Sequence, residues 1–218
     1  MTTIARNTAR ETRIRLACPA DAAAVCAIYA PYVRDTATTF DLEPPTVEEM
    51  EQKITTILEE RPFLVAEIER TDANTASTTS RVETCDDETF AVIGYSYASA
   101  FRPRKAYLHS IETSVYLAPE AKGHGLGTRL YGALEEILRL QNVYNANACV
   151  TYTEPADETC PSTSRIFHER RGYVQCAHIP NCGHKFGRWY DILWLQKQLI
   201  PLSQEPEGFV PLPVSYTH

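Results

Sequence analysis

The chain has 218 residues, 44% of them hydrophobic, and a formal net charge of −7. That is enough apolar material for one domain with its own core, and the length leaves room for tails. The acidic balance argues against nucleic acid as a partner, and no apolar run approaches the roughly 18 residues of a membrane span. The first residues lack the apolar stretch of a secretion signal. Arg6, Arg10, Arg13 and Arg15 stand among threonines as in a mitochondrial presequence, but Glu11 and the missing amphipathic pattern speak against that reading. Seven cysteines include no C-x-x-C pair, as expected of reduced thiols in a cytoplasmic protein. Cys18, Cys26 and Cys149 lie in apolar surroundings and read as small core residues, whereas Cys85, Cys160, Cys176 and Cys182 lie in polar or loop contexts. Cys176 and Cys182 could bridge, or hold a metal with His178 and His184, but the spacing of a zinc site is absent and no metal is expected.

In chain order, residues 1–12 read as a disordered tail and residues 13–18 alternate as a first strand. A helix starts at Pro19 and gathers Ala24, Val25, Ile28, Tyr29 and Tyr32 on one face. Residues 36–45 form a threonine-rich loop holding Phe40. Thr46 and Glu49 have the spacing of a capping box for a second helix that runs to about residue 60. Residues 63–68 and 91–100 are strands. Between them residues 71–89 are almost all polar and aperiodic, which reads as a long flexible insertion. Strands joined by such a loop are expected to be antiparallel neighbours. A strand follows at 107–117, a helix to Leu140, a buried strand at 146–152 and an irregular loop at 154–161. A short helix at 162–171 ends at Gly172, and strands at 173–179 and 189–196 are joined by a turn with Gly183 and Gly187. From residue 200 the chain is proline-rich and reads as an extended tail, which leaves 13–199 as the domain. The order β-α-α-β-β-β-α-β-α-β-β implies an α/β (α+β mixed) fold. Its sheet is mixed and mostly antiparallel, with six to seven strands and helices on both faces.

The chain is organised around residues 111–131. An apolar strand is broken by Pro119, glycines recur at Gly123, Gly125 and Gly127, and a helical pattern begins at Leu126. A strand, a glycine turn and a helix make a phosphate cradle, because first-turn N–H groups and the helix dipole both favour an anion. Lys122 adds positive charge. The spacing matches neither the Rossmann fingerprint nor a P-loop. It does fit K/R/Q-x-x-G-x-G, and in this it resembles motif A of the GNAT acyl-CoA N-acetyltransferases, whose element order is also the one read above. The resemblance implies that acetyl-CoA is the cosubstrate. Its pyrophosphate would lie on Lys122, Gly123, His124, Gly125, Leu126, Gly127 and Thr128, although His124 by itself reads as a solvated loop residue.

Further segments narrow the resemblance: Thr38-Thr39-Phe40, residues 63–67, Arg104-Lys105-Ala106-Tyr107, residues 111–116, His168-Glu169-Arg170-Arg171-Gly172-Tyr173 and Gly187-Arg188-Trp189-Tyr190-Asp191. They are similar to the phosphinothricin N-acetyltransferase branch over roughly residues 13–199, the 71–89 insertion excepted. The branch acetylates the primary amine of small amino acids or analogues such as phosphinothricin and methionine sulfoximine, usually as homodimers. One departure is Pro161, which stands where the branch tends to have an asparagine that contacts the cofactor, while Ser164 matches.

Acetyl transfer to an amine needs a base for the amine proton, a donor to polarise the thioester carbonyl and an acid for the leaving thiolate. Glu112 lies within an apolar strand, where a carboxylate is expensive unless paired or used, and burial would raise its pKa towards that of a useful base. The resemblance puts the general base at Glu112. It puts the acid at His168, where many relatives have tyrosine, and the thioester against Val115, Tyr116 and Leu117. Arg104 and Tyr107 are the expected grips for an acidic group of the substrate, with Phe40 lining the pocket. Two alternatives stay open: a GNAT enzyme for another small amine, and a non-catalytic module that binds acyl-CoA.

Overall fold

The computed structural model describes residues 11–70 and 89–212. The expected insertion, apart from Thr89, and most of the expected N-terminal tail fall outside the described residues. The elements are β1 (Thr12–Leu16), α1 (Ala22–Asp35), α2 (Val47–Leu58), β2 (Phe63–Glu69), β3 (Phe90–Ala100), β4 (Ser110–Leu117), α3 (Leu126–Leu140), β5 (Asn145–Tyr152), α4 (Thr163–Arg170), β6 (Val174–Lys185) and β7 (Arg188–Gln198), in the order read from the sequence. The strands form one sheet, ordered β1-β2-β3-β4-β5-β7-β6. Every neighbouring pair is antiparallel except β4–β5.

Alternation along β4 shows how the helices are shared between the two faces. Thr113 meets Tyr131 of α3, whereas Tyr116 meets Tyr29 and Tyr32 of α1 edge-on. On the α1–α2 side Phe63, Tyr95, Tyr97 and Tyr116 stack across three strands. On the other side α3 buries Leu130, Leu134 and Leu138 completely. Thr46 and Glu49 do form a capping box at α2. Gly172, with φ +85°, ends α4, and Tyr173 N–H returns to the His168 carbonyl at 3.0 Å.

Several local details depart from the sequence reading. β4 begins at Ser110 rather than 107, because residues 105–107 close a single helical turn on the Arg104 and Lys105 carbonyls. The final hairpin is longer than expected, so Gly183 lies inside β6; the turn is Phe186-Gly187, both at positive φ. Cys149 is exposed, on the face of β5 opposite the buried Ala148 and Val150. Cys160, expected in a polar loop, is buried. The Asp157 carboxylate accepts the N–H groups of Thr159 and Cys160 and folds that loop inward against Ala37 and Tyr190. Residues 201–212 have no regular structure, yet they are docked. Val210 and Leu212 donate N–H to Gln141 and Glu60, Leu212 enters the core, and Arg61 stacks over Phe209. Among the described residues no helix is long and apolar enough to cross a membrane.

Candidate active site

β4 and β5 pair only from Ser110↔Asn145 to Glu112↔Asn147, although both strands run on to Leu117 and Tyr152. Beyond Glu112 they diverge and leave a gap whose walls carry backbone groups with no partner strand. Tyr32 of α1 reaches into it: its hydroxyl donates to Leu117 O at 2.7 Å and receives Leu117 N–H at 3.3 Å. Ala118 N–H, by contrast, turns the other way, to Ile93 O on β3. Backbone alternation therefore points the N–H of Val115, like that of Leu117, into the gap, and that of Tyr116 towards β3.

Glu112 is half-buried at the root of the gap. Burial raises its pKa above the usual carboxylate range, and the charges of Arg102 and Lys53 partly offset this. Arg102 was not singled out by the sequence; its guanidinium rests over Phe101 and Trp194. Arg104 and Tyr107 lie nearby on the surface turn, both exposed, with Tyr107 edge-on to Phe101.

The glycine turn has the geometry of a cradle. Gly123 and Gly125 hold φ of +83° and +75°, which side-chain-bearing residues rarely adopt. Gly127 serves a different need: a Cβ there would stand 3.4 Å from the Phe167 ring of α4. The helix starts at Leu126, and its first internal bond is Arg129 N–H to Gly125 O. The N–H groups of Leu126, Gly127 and Thr128 thus have no helical acceptor and are free for an anion. Lys122 lies over Tyr32 with Nζ 4.5 Å from the ring centre, which brings its charge between cradle and gap. These groups fit the pyrophosphate of acetyl-CoA. His124 is exposed and lines a separate cavity of about 500 Å³ on the α3 side, with Ile68, Ala91, Ile93 and Arg129.

His168 is 5% exposed. Its Nδ1 lies 2.8 Å from the Ser164 carbonyl, so Nδ1 carries the proton and Nε2 is the open acceptor. Tyr131 Oη lies 2.9 Å from that Nε2 and donates to Thr113 Oγ1 at 3.0 Å, and Thr113 in turn donates to Asn147 O, so the single Tyr131 proton serves one of its two acceptors at a time. A buried polar chain thus runs from α4 through α3 to β4 at the gap. Burial lowers the His168 pKa; the Ser164 carbonyl opposes this and the Arg171 charge adds to it. Tyr131, the link of this chain, was missed, because its place in the sequence is an ordinary core position of α3.

Phe40 packs against the β6–β7 hairpin, and its loop is held by residues that the sequence did not mark. Lys185 is 4% exposed and donates to Thr39 O at 2.8 Å. Tyr29 Oη bonds Thr39 Oγ1 and Asp41 Oδ2 at 2.6 and 2.7 Å. No group of three His, Cys, Asp or Glu among the described residues is arranged to hold a metal ion.

The family profile for an acetyltransferase (GNAT) domain matches residues 73–194, more than half of the chain. A phosphinothricin N-acetyltransferase of Streptomyces coelicolor is 31% identical over 189 residues, spanning 87% of this chain and 97% of that protein. An L-methionine sulfoximine/L-methionine sulfone acetyltransferase of Pseudomonas aeruginosa is 32% identical over 115 residues, 53% of this chain and 63% of that protein. The crystal structure of a GNAT superfamily phosphinothricin acetyltransferase from Sinorhizobium meliloti in complex with AcCoA superposes with a TM-score of 0.73 at 29% identity. It covers 91% of this chain and 95% of that one. The chain belongs to the GNAT acetyltransferase family, the N-acetyltransferases that use acetyl-CoA. Within that family it is similar to the phosphinothricin N-acetyltransferases along most of its length.

Proposed function

We propose that the protein transfers the acetyl group of acetyl-CoA to the primary amine of a small amino acid or analogue of the phosphinothricin or methionine sulfoximine type. The observation that carries this is the β4–β5 gap, with a carboxylate of raised pKa at its root and the glycine cradle at its mouth. The names of the relatives supply the substrate class.

Bound acetyl-CoA supplies an activated thioester. The amides at the start of α3 and Lys122 hold its phosphates. Val115 N–H, pointed into the gap, polarises the acyl carbonyl as a fixed donor. Glu112 takes the proton of the attacking amine at its carboxylate; the raised pKa brings it nearer the working pH of a base. The released thiolate receives its proton from the imidazolium form of His168: Nε2–H passes to Tyr131 Oη as Tyr131 gives its proton to Thr113 and Thr113 gives its own to sulfur, which leaves the neutral Nδ1–H imidazole to take up a proton from solvent before the next turnover. Ser164 fixes the His168 tautomer. Arg104, Tyr107 and Phe40 shape the amine pocket, with Arg102 beside Glu112 as a further cation for an acidic substrate group.

A homodimer fits the same reading. β6 is an edge strand, and Val174, Ile179, Phe186 and Trp189 on the β6–β7 hairpin are exposed; light scattering of the purified protein tests it. A cytoplasmic location accords with acetyl-CoA as donor and with Cys26, Cys149, Cys160, Cys176 and Cys182 as unbridged thiols. The deciding experiment is thiol release from acetyl-CoA over a panel of amino acids, their phosphinate and sulfoximine analogues, and polyamines. Turnover confined to the amino-acid class supports the proposal. Turnover of polyamines alone, or acetyl-CoA binding without turnover, overturns it.

A further inference from the structure

We infer that Gly183 sets the depth of the amine pocket by letting the Phe40 ring withdraw against β6. The inference rests on the proposed reading of Phe40 as a wall of that pocket.

A glycine inside a strand weakens it, so its presence asks for a reason. Backbone conformation gives none: the described glycines at positive φ are Gly123, Gly125, Gly172 and Gly187, and Gly183 is not among them. Space does. A Cβ at Gly183 would stand 2.3 Å from Cε2 and Cζ of Phe40 and 2.6 Å from Cε1. Carbon atoms rest at about 3.5–4.0 Å, so a methyl group displaces the ring by more than an ångström.

The ring has little freedom to yield sideways. Tyr190 flanks it with ring centres 6.4 Å apart, and Ala37 and Cys160 fill the space behind. Its loop is pinned on both sides of Phe40: Ala37 N–H bonds Thr159 O at 2.7 Å, and Lys185 Nζ bonds Thr39 O at 2.8 Å. Tyr29 ties down Thr39 and Asp41 as well. Phe40 is half-buried, so the ring's open direction is towards solvent, which on the proposed reading is the amine pocket. The bulge of β6 aims Gly183 at the ring. Pairing jumps from Ile179↔Ile192 to Gly183↔Tyr190. The Asp191 carboxylate holds the extra residues by accepting Asn181 N–H at 2.8 Å and meeting His178 Nε2 at 2.7 Å. Gly183 is therefore a positioning residue for substrate size, acting through Phe40.

The test measures KM and kcat by thiol release for straight-chain amino acids of increasing side-chain length. It compares the wild type, Gly183→Ala, Phe40→Leu and the double variant. In Gly183→Ala, KM rises for the longest side chains by about tenfold to a hundredfold, the span that one methylene decides in a pocket. KM for the shortest and for acetyl-CoA stays level. The double variant regains the long substrates, since leucine leaves room for the new methyl. A rise shared equally by all amines, or no rescue in the double variant, overturns the inference. Should Gly183→Ala not fold, Phe40→Leu alone decides: a shift of preference towards longer side chains supports it, and an unchanged profile overturns it. A wild type that acetylates no amine refutes the functional reading and this inference together, whereas wild-type turnover with an unshifted profile refutes the inference alone.

Discussion

Replacing Tyr131 by phenylalanine removes one oxygen atom from the centre of the α3–α4–β4 junction. Tyr131 is fully buried, and its ring contacts with Phe167 and His168, at 5.2 and 5.4 Å between centres, survive the change. Thr113 keeps its bond to Asn147 O. His168 Nε2 and Thr113 Oγ1 both lose the Tyr131 hydroxyl, whose single proton they share, and one buried group left unpaired costs about 1–3 kcal/mol. For a domain of this size each kcal/mol lowers Tm by about 2–4 °C, so the expected fall is about 2–12 °C, read by scanning calorimetry at pH 8. The pH dependence is the sharper part. Burial holds the His168 pKa below its unfolded value, so below about pH 6.5 the unfolded chain binds the extra proton and the native chain does not. Wild-type stability therefore declines as pH falls through that value. In Tyr131→Phe an Nε2 proton would lie buried with no oxygen to accept it, so the acid decline persists and is no shallower. A variant within about 1 °C of wild type at pH 8, or one whose stability declines less steeply than wild type below pH 6.5, would refute the buried chain as described.

Three further outcomes are expected. Gly125→Asp combines a strained φ of +75° with a carboxylate at the cradle; calorimetric titration should show acetyl-CoA affinity reduced at least about tenfold in a folded variant, and unchanged affinity would remove the cradle from the site. Glu135 is buried and meets Lys197, Arg171 and Arg139 at 2.7, 3.3 and 3.6 Å; Glu135→Gln leaves three partly exposed cations uncompensated, and urea unfolding should lose about 1–3 kcal/mol, less than for a fully buried pair. Because burial raises the pKa of Glu112, the native state holds that proton longer than the unfolded chain and loses stability as pH rises above about 4.3; Glu112→Gln should raise Tm at pH 7 and leave it level at pH 3.5, and a lower Tm at pH 7 would contradict the raised pKa.

The order of elements along the chain follows from features that are local in sequence. Capping signals at Thr46 and Gly172, glycines at Gly123 and Gly125, and the alternating strands are each set by neighbours a few residues away, and they were legible. The gap between β4 and β5 was not, because the partner that takes up the freed backbone of β4 is remote in sequence: Tyr32 of α1, 85 positions before Leu117. Lys185, Tyr131 and Gly183 escaped for the same reason: each is defined by one partner far along the chain, Thr39, His168 and Phe40 respectively. The cysteines were misjudged where flanking hydrophobicity was taken for burial. Cys149 sits among apolar neighbours but points to the uncovered side of β5, and Cys160 sits in a polar loop that Asp157 turns inward.

Turnover of Glu112→Gln as a function of pH tests the proposed chemistry most directly. The variant keeps the shape of the side chain and the cradle for acetyl-CoA, and loses the proton acceptor at the root of the gap. At neutral pH it should turn over roughly 10²–10⁴-fold more slowly than wild type, the usual share of general acid–base catalysis, with acetyl-CoA affinity unchanged. As pH approaches the pKa of the amine, the nucleophile arrives already deprotonated and the deficit should close. Wild-type turnover by Glu112→Gln at neutral pH, or a deficit that persists undiminished at high pH, would contradict Glu112 as the base.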